Sequence, residues 1–182
     1  MSKILVPLAQ GFEEIEAITI IDILRRAGAE VIVASLDKRN VMGSHGLKVI
    51  ADTVLEEVLD EHFEMVILPG GVPGAPNLMS DPRIIQLLKD QAASNKTSAA
   101  ICAAPAVLQA AGLTESKQIT SHPAWADKMT TAIHTGARVE TAELLVTGQA
   151  AGSAMEFSFK IVELLYGADK VDEVNEGVLA KL

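Results

Sequence analysis

The chain has a single cysteine among its 182 residues, so no internal disulfide can form and no cysteine-based zinc cluster can be built. Whatever Cys102 does, it does as a thiol. Aromatic residues make up only 3% of the chain although 49% of it is apolar, so a core must be made from Val, Ile, Leu and Ala, which suits a parallel sheet covered by helices. No apolar run approaches the roughly 20 residues a membrane span requires. Basic residues are also scarce: 15 Lys and Arg stand against 24 Asp and Glu, a formal charge of -9 that repels both a phosphate backbone and an anionic membrane surface. Neither nucleic acid nor a membrane is an expected partner. The four histidines, His45, His62, His122 and His134, show no ligand-like spacing with one another, and no metal site is expected. The strand-like run Ile4 to Leu8 is too short, and too poor in preceding basic residues, for an export signal, so a reducing, cytoplasmic setting is expected.

What remains is an alternation of short β-branched runs and helical patterns. Lys3 to Ala9 reads as a buried strand, Glu13 to Arg26 as a helix closed by Gly28, and Glu30 to Ser35 as a second strand, which together make a right-handed βαβ unit. Irregular edge strands fit between Asp37 and Ala51, and a short helix fits Thr53 to Leu59. Phe63 to Leu68 is a further strand that runs into Pro69-Gly70-Gly71; Ser80-Asp81-Pro82 opens a helix carrying Ile84, Leu87 and Leu88. Thr97 to Ile101 is a strand, Ala103 to Ala111 a helix, Val139 to Val146 a hairpin turning near Ala142 and Glu143, and Ala154 to Tyr166 a long amphipathic helix before a last one from Ala168 to Glu176. No repeat, linker or low-complexity tract breaks the chain, so residues 1–182 are expected to form one α/β domain.

In open parallel sheets ligands bind beyond the carboxyl ends of the strands. Cys102 falls at such an end, between a strand and a helix, where free N–H groups and the helix dipole favour a thiolate. Two readings stand at this point: an activated nucleophile, or a small buried hydrophobe. Gly70 and Gly71, with the amide of Ala103, offer either an oxyanion pocket or a plain tight turn. Of Glu13, Glu14 and Glu16, two are expected only to complement the helix dipole. Glu16 is expected to point inward, provided the helix packs on its Ile15, Ile18 and Thr19 side; buried, it would stay protonated and could donate a hydrogen bond to a thiolate. His122, before Pro123 at another strand end, is either a proton shuttle or a structural histidine.

Taken together, Gly11-Phe12-Glu13-Glu14-Ile15-Glu16, Leu68-Pro69-Gly70-Gly71 with Gly74-Ala75, Ala99-Ala100-Ile101-Cys102-Ala103-Ala104-Pro105, Thr120-Ser121-His122-Pro123 and Met155-Glu156-Phe157 occur in order. In these motifs the chain resembles the ThiJ/PfpI superfamily over nearly its whole length, most closely the branch that contains the Parkinson-associated protein deglycase and its bacterial relatives. The resemblance implies a flavodoxin-like three-layer sandwich, usually a homodimer, with Cys102 in a strained nucleophile elbow, Glu16 as its protonated partner and His122 nearby. It also implies glutathione-independent glyoxalase action on methylglyoxal, deglycase action on early glycation adducts, or a redox-sensing and chaperone-like role through oxidation of the cysteine.

Departures from the family pattern narrow this. Ala103, not His, follows the cysteine, which argues against the peptidase branch, and Pro123-Ala124 stand where an amidotransferase would carry a nearby Glu. His45 and Gln149 replace arginines that line the anion-accepting mouth in close relatives, so a shifted substrate preference is expected there. Thiazole biosynthesis, the literal meaning of ThiJ, finds no phosphate loop, and the lack of Gly-x-Gly-x-x-Gly after the first strand speaks against a dinucleotide; no cofactor is expected. The expected substrate is a small carbonyl compound attacked by Cys102.

Overall fold

A computed structural model describes residues 1–181. Strand β1 (Lys3–Leu8) leads into helix α1 (Glu14–Arg26) and strand β2 (Glu30–Ser35). A small hairpin, β3 (Asn40–Met42) and β4 (Lys48–Ile50), then precedes β5 (Thr53–Val54) and a 3-10 turn at Leu55–Val58. Strand β6 (Met65–Leu68) is followed by α2 (Gly74–Ser80), α3 (Pro82–Ala93), β7 (Thr97–Ile101) and α4 (Pro105–Ala110). The chain closes with β8 (Gln118–Ile119), β9 (Ile133–His134), the hairpin β10 (Val139–Ala142) and β11 (Leu145–Gly148), α5 (Ala154–Tyr166) and α6 (Ala168–Val178).

The main sheet has seven strands in the order β10-β11-β7-β6-β1-β2-β5, parallel throughout except for β10 at the edge. From β1 the chain works outward through β2 to β5, then returns to the other side and works outward through β6 and β7. The crevice at the carboxyl ends of β1 and β6 is therefore where loops diverge, as doubly wound sheets require. Alternation along the strands feeds two cores. Ile4, Val6, Leu8, Ile67, Ala99 and Ile101 face one side with α1 and α5, while Leu5, Val66, Leu68 and Ala100 face the other with α3 and α4. This is the flavodoxin-like three-layer sandwich that the motifs imply. Among the described residues no helix is long and apolar enough to cross a membrane.

Four local expectations are corrected. Helix α1 does not pack on its Ile15 and Ile18 side: Ile15 is 59% exposed and Ile18 41%, while Glu16, Ala17, Ile20, Ile23 and Leu24 are buried. The crossover from β1 to β2 lays the latter stripe on the sheet, and Glu16 is buried because it belongs to that stripe. Thr53 to Leu59 is a two-residue edge strand and a 3-10 turn, not a helix. A helix the sequence reading left out, α2, fills Gly74 to Ser80. Finally, α4 begins at Pro105 and holds six residues, so Cys102 sits in the turn before the helix.

Helix α3 starts as expected from its sequence: Asp81 caps it by accepting from Arg83 N at 2.9 Å, and Pro82 occupies the first turn. The same carboxylate takes the Arg83 guanidinium at 2.6 Å, and Arg83 holds Asp81 well below the usual carboxylate range through that hydrogen bond. Ile20→Ala should lower unfolding free energy by about 2–5 kcal/mol, and Asp81→Ala by about 1–2 kcal/mol, both read from urea denaturation. A loss below 1 kcal/mol at Ile20 would contradict the packing face assigned to α1.

Candidate functional site

Three loops converge at the carboxyl edge, following the adjacent strands β1, β6 and β7. After β1, Glu13 is the N-cap of α1: its carboxylate Oε2 accepts the Glu16 amide at 2.8 Å. Glu16 is fully buried. After β6, the Gly70 amide donates to Glu16 Oε2 at 2.8 Å and the Gly70 carbonyl accepts from the Glu13 amide at 3.0 Å. After β7, Cys102 adopts φ +64°, a left-handed conformation rare outside glycine, and is half-buried. Its amide donates to the Gly148 carbonyl at 2.9 Å, and its carbonyl accepts from the His122 amide at 2.8 Å. The elbow expected from the motifs is thus present, clamped at both ends of its peptide.

Space at the junction is set by two glycines. A Cβ on Gly70 would lie 2.7 Å from Cys102 Cβ and 2.8 Å from Glu16 Oε2. One on Gly71, already at φ +96°, would meet the Glu13 amide at 2.4 Å. A side chain at Gly70 would press on both the carboxyl and the thiol, and one at Gly71 on the backbone that opens α1.

The Glu16 carboxyl lies beside the Cys102 thiol, and Glu16 Oε1 is buried with no hydrogen-bond partner. Burial pushes the Glu16 carboxyl from its ordinary 4.5 up to about 7, against the hydrogen bonds from Cys102 and the Gly70 amide. Burial likewise pushes the Cys102 thiol up to about 12, with the charge and hydrogen bond of Glu16 adding to it, while the amides of Gly71 and Ala103 pull it down. Because α4 begins only at Pro105, the donors that favour an anionic sulfur are the amides of Gly71 and Ala103, set against burial and the charge of Glu16. An anionic sulfur beside a neutral carboxyl is the state reached when one proton passes from the thiol to Glu16.

The glycine amides divide their work differently from the expectation. Gly71 and Ala103 aim at the sulfur, but the Gly70 amide is taken by Glu16 and does not belong to an oxyanion pocket. His122 is joined to the elbow through its main chain, and its Nδ1 accepts from the Ala124 amide at 3.1 Å. A backbone N–H can only donate, so the proton of the neutral His122 ring sits on Nε2. His122 thus offers a hydrogen-bond donor.

The side chains of His45 and Gln149 make no hydrogen bond to Cys102, Glu16 or His122 among the described residues. The exposed His45 ring bonds Glu14 Oε2 at 2.9 Å and lies 3.9 Å from Glu13 Oε1, and the Gln149 side chain donates to the Gly136 carbonyl at 2.9 Å. Glu14, expected only to complement the helix dipole, accepts from Ser44 Oγ and from the His45 and Leu47 amides, which ties the β3–β4 turn to the start of α1. Among the described residues, Glu13, Glu14 and His45 are the grouping with a metal-type donor set, their ligand atoms within 4.8 Å of one another. Sequence spacing could not announce it, because His45 reaches the helix start from a separate hairpin.

The order of these loops, the left-handed cysteine and its buried carboxyl partner can be set beside known proteins. The DJ-1/PfpI family profile matches residues 2–164. The chain belongs to the DJ-1/PfpI family. It is 41% identical to protein DJ-1 homolog A of Arabidopsis thaliana over 97% of its length and 46% of that protein's, so it spans about half of such plant relatives. It is 37% identical to the Parkinson disease protein 7 homolog of Danio rerio, covering 98% of this chain and 97% of that one. It is 36% identical to the glutathione-independent glyoxalase DJR-1.2 of Caenorhabditis elegans, over 89% and 87% of the two chains. Among solved structures, Drosophila melanogaster DJ-1beta superposes with a TM-score of 0.97 at 37% identity, and Toxoplasma gondii DJ-1, oxidized, with 0.95 at 38%, each covering 100% of both chains.

The raised Glu16 carboxyl has a consequence for stability. Between pH 4.5 and about 7 the folded chain keeps a proton that the unfolded chain has released, so folding weakens as pH rises through that window. Glu16→Gln removes this penalty and should raise the melting temperature at pH 8, by up to about 3 kcal/mol of stability, with no such gain at pH 4. Gly70→Ala should act in the opposite sense, lowering stability by about 1–3 kcal/mol and slowing alkylation of Cys102 by iodoacetamide. A melting temperature unchanged by Glu16→Gln at pH 8 would refute the burial argument.

Proposed function

We propose that the protein is a cysteine-dependent, glutathione-independent glyoxalase acting on methylglyoxal and related small dicarbonyls. The observation that carries this reading is the fully buried Glu16 carboxyl beside a thiol on a left-handed elbow. A nematode relative bears the name of that activity.

In this mechanism Glu16, ionised, takes the thiol proton as sulfur adds to the aldehyde carbon, and the new hydroxyl receives a proton to give a hemithioacetal. Carboxylate then removes the hydrogen from that carbon, and the neighbouring carbonyl oxygen accepts a hydrogen bond from His122 Nε2–H as an enediol forms. Return of the proton to the second carbon leaves a thioester of lactate. Water cleaves the thioester, giving lactate and the free thiol, with no net oxidation or reduction. The amides of Gly71 and Ala103 are the donors nearest the oxyanion formed at the carbon bonded to sulfur. Deglycation would begin with the same attack on an adduct. Because the chemistry needs a reduced thiol, we place it in a reducing compartment such as the cytoplasm. The exposed Ile15 and Ile18 of α1, and Met42, Leu47 and Ile50 of the β3–β4 hairpin, support assembly as a homodimer.

A second reading, redox sensing with a chaperone-like role, is favoured by the amides of Gly71 and Ala103 aimed at the sulfur, which would stabilise an oxygenated anion there. Peroxide should then add oxygen stepwise to Cys102, seen by intact mass and lost in Cys102→Ala; oxidation without a change in stability or partner binding would count against the sensor.

The glyoxalase reading is tested by lactate formation from methylglyoxal without glutathione. Cys102→Ala should abolish it, and Glu16→Gln should lower kcat/KM by about a hundredfold or more. Since the base form of Glu16 is the working one, the rate should climb with pH through about 7 and then level off. Lactate formation that survives Cys102→Ala sinks the mechanism.

A further inference from the structure

The geometry points to His134 as a positioning residue for the nucleophile elbow, an inference that rests on the reading of Cys102 as the nucleophile. His134 lies on β9, where it pairs with Ile119 of β8, and its ring turns back toward the segment that follows β8. There Nε2 lies 3.1 Å from the Ser121 amide and 3.0 Å from Ser121 Oγ. The amide can only donate, so Nε2 is the acceptor and the neutral ring carries its proton on Nδ1. Ser121 is fully buried, which makes this imidazole nitrogen the acceptor for a main-chain donor that water does not reach.

The next residue makes the contact matter. The His122 amide donates to the Cys102 carbonyl at 2.8 Å, and the Ser121 hydroxyl reaches the His122 carbonyl at 3.3 Å. One residue earlier, Thr120 is fixed from the other side, its amide on Thr147 Oγ1 at 2.9 Å and its hydroxyl on the Ala137 carbonyl at 2.6 Å. The strip Thr120 to His122 is therefore suspended between β11, β9 and the elbow, and the tie at its centre is His134. Through Ser121 and His122 it holds the carbonyl of a residue at φ +64°, whose peptide orientation decides where the sulfur stands between Glu16 and the Gly71 and Ala103 amides. His134 touches neither the sulfur nor the place of the substrate, and works by aim.

Two substitutions separate aim from bulk. His134→Gln keeps an acceptor at about the reach of Nε2, whereas His134→Leu keeps volume and deletes the acceptor. The inference expects His134→Leu to lower kcat for methylglyoxal by about ten- to a hundredfold with KM within about twofold, to slow iodoacetamide alkylation of Cys102 by about threefold or more, and His134→Gln to recover most of both. Trp125, the only tryptophan, has its amide on the His122 carbonyl at 2.8 Å, so its emission should shift in the Leu variant and return in the Gln variant. Should His134→Leu unfold, Ser121→Ala, which deletes only the hydroxyl contact, takes its place in the kcat and alkylation measurements with a smaller loss expected. Wild-type kcat and alkylation in His134→Leu would overturn the inference, as would equal damage in the Leu and Gln variants. If the wild type itself makes no lactate, the glyoxalase reading fails, while the alkylation rates and Trp125 emission still decide the role of His134.

Discussion

The arrangement depends on the placing of a buried carboxyl beside a half-buried thiol. Neither group is placed to be ionised comfortably: Glu16 is fully buried, and Cys102 is partly desolvated beside it. Desolvation raises both groups, so the pair favours states in which little charge is buried and the proton can pass between the partners. The fold pays for this at Gly70 and Gly71, where backbone takes the room that side chains would fill. It pays again at Cys102, whose left-handed backbone is kept only because Gly148 and His122 fix its peptide at both ends.

The topology explains why such a pair can exist. A carboxyl and a thiol far apart in the chain meet because β1, β6 and β7 are adjacent and parallel, so their carboxyl ends open on one crevice. Helix α1 then contributes its inward stripe, Ala17, Ile20 and Leu24, to the core, and Glu16 shares that stripe at its first turn. The stripe that anchors the helix is also what desolvates the carboxylate. Stability and reactivity are thus in opposition at this residue.

Much of this could be read from the residues. Strand runs such as Ile4 to Leu8 and Val66 to Leu68, the helix start at Asp81-Pro82 and the hairpin around Glu143 are local patterns, and the structure carries them almost unchanged. The junction of Cys102 with Gly70 was legible as well, because strand ends and glycines mark it. What was not legible depends on distant partners. The face on which α1 packs is chosen by the sheet, and with isoleucines on several sides the periodicity pointed to Ile15 and Ile18. The burial of the thiol and the closeness of Glu16, which act on its ionisation beside the turn's own amides, come from the packing of distant segments. The roles of Glu14 and His134 come from residues brought to them by the hairpin β3–β4 and by strand β9. His45 and Gln149, noted in the sequence as replacements for arginines, lie around the centre without a bond to the sulfur.

The sheet is bounded by short ends. On one side it finishes in β5, two residues long and followed at once by a 3-10 turn; on the other, in the four-residue antiparallel strand β10. Each leaves few free amides and carbonyls in a row, so another polypeptide has little ladder to extend. A core this rich in Val, Ile and Leu would be prone to fibril growth with a long open margin, and these abbreviated borders guard against it at high protein concentration.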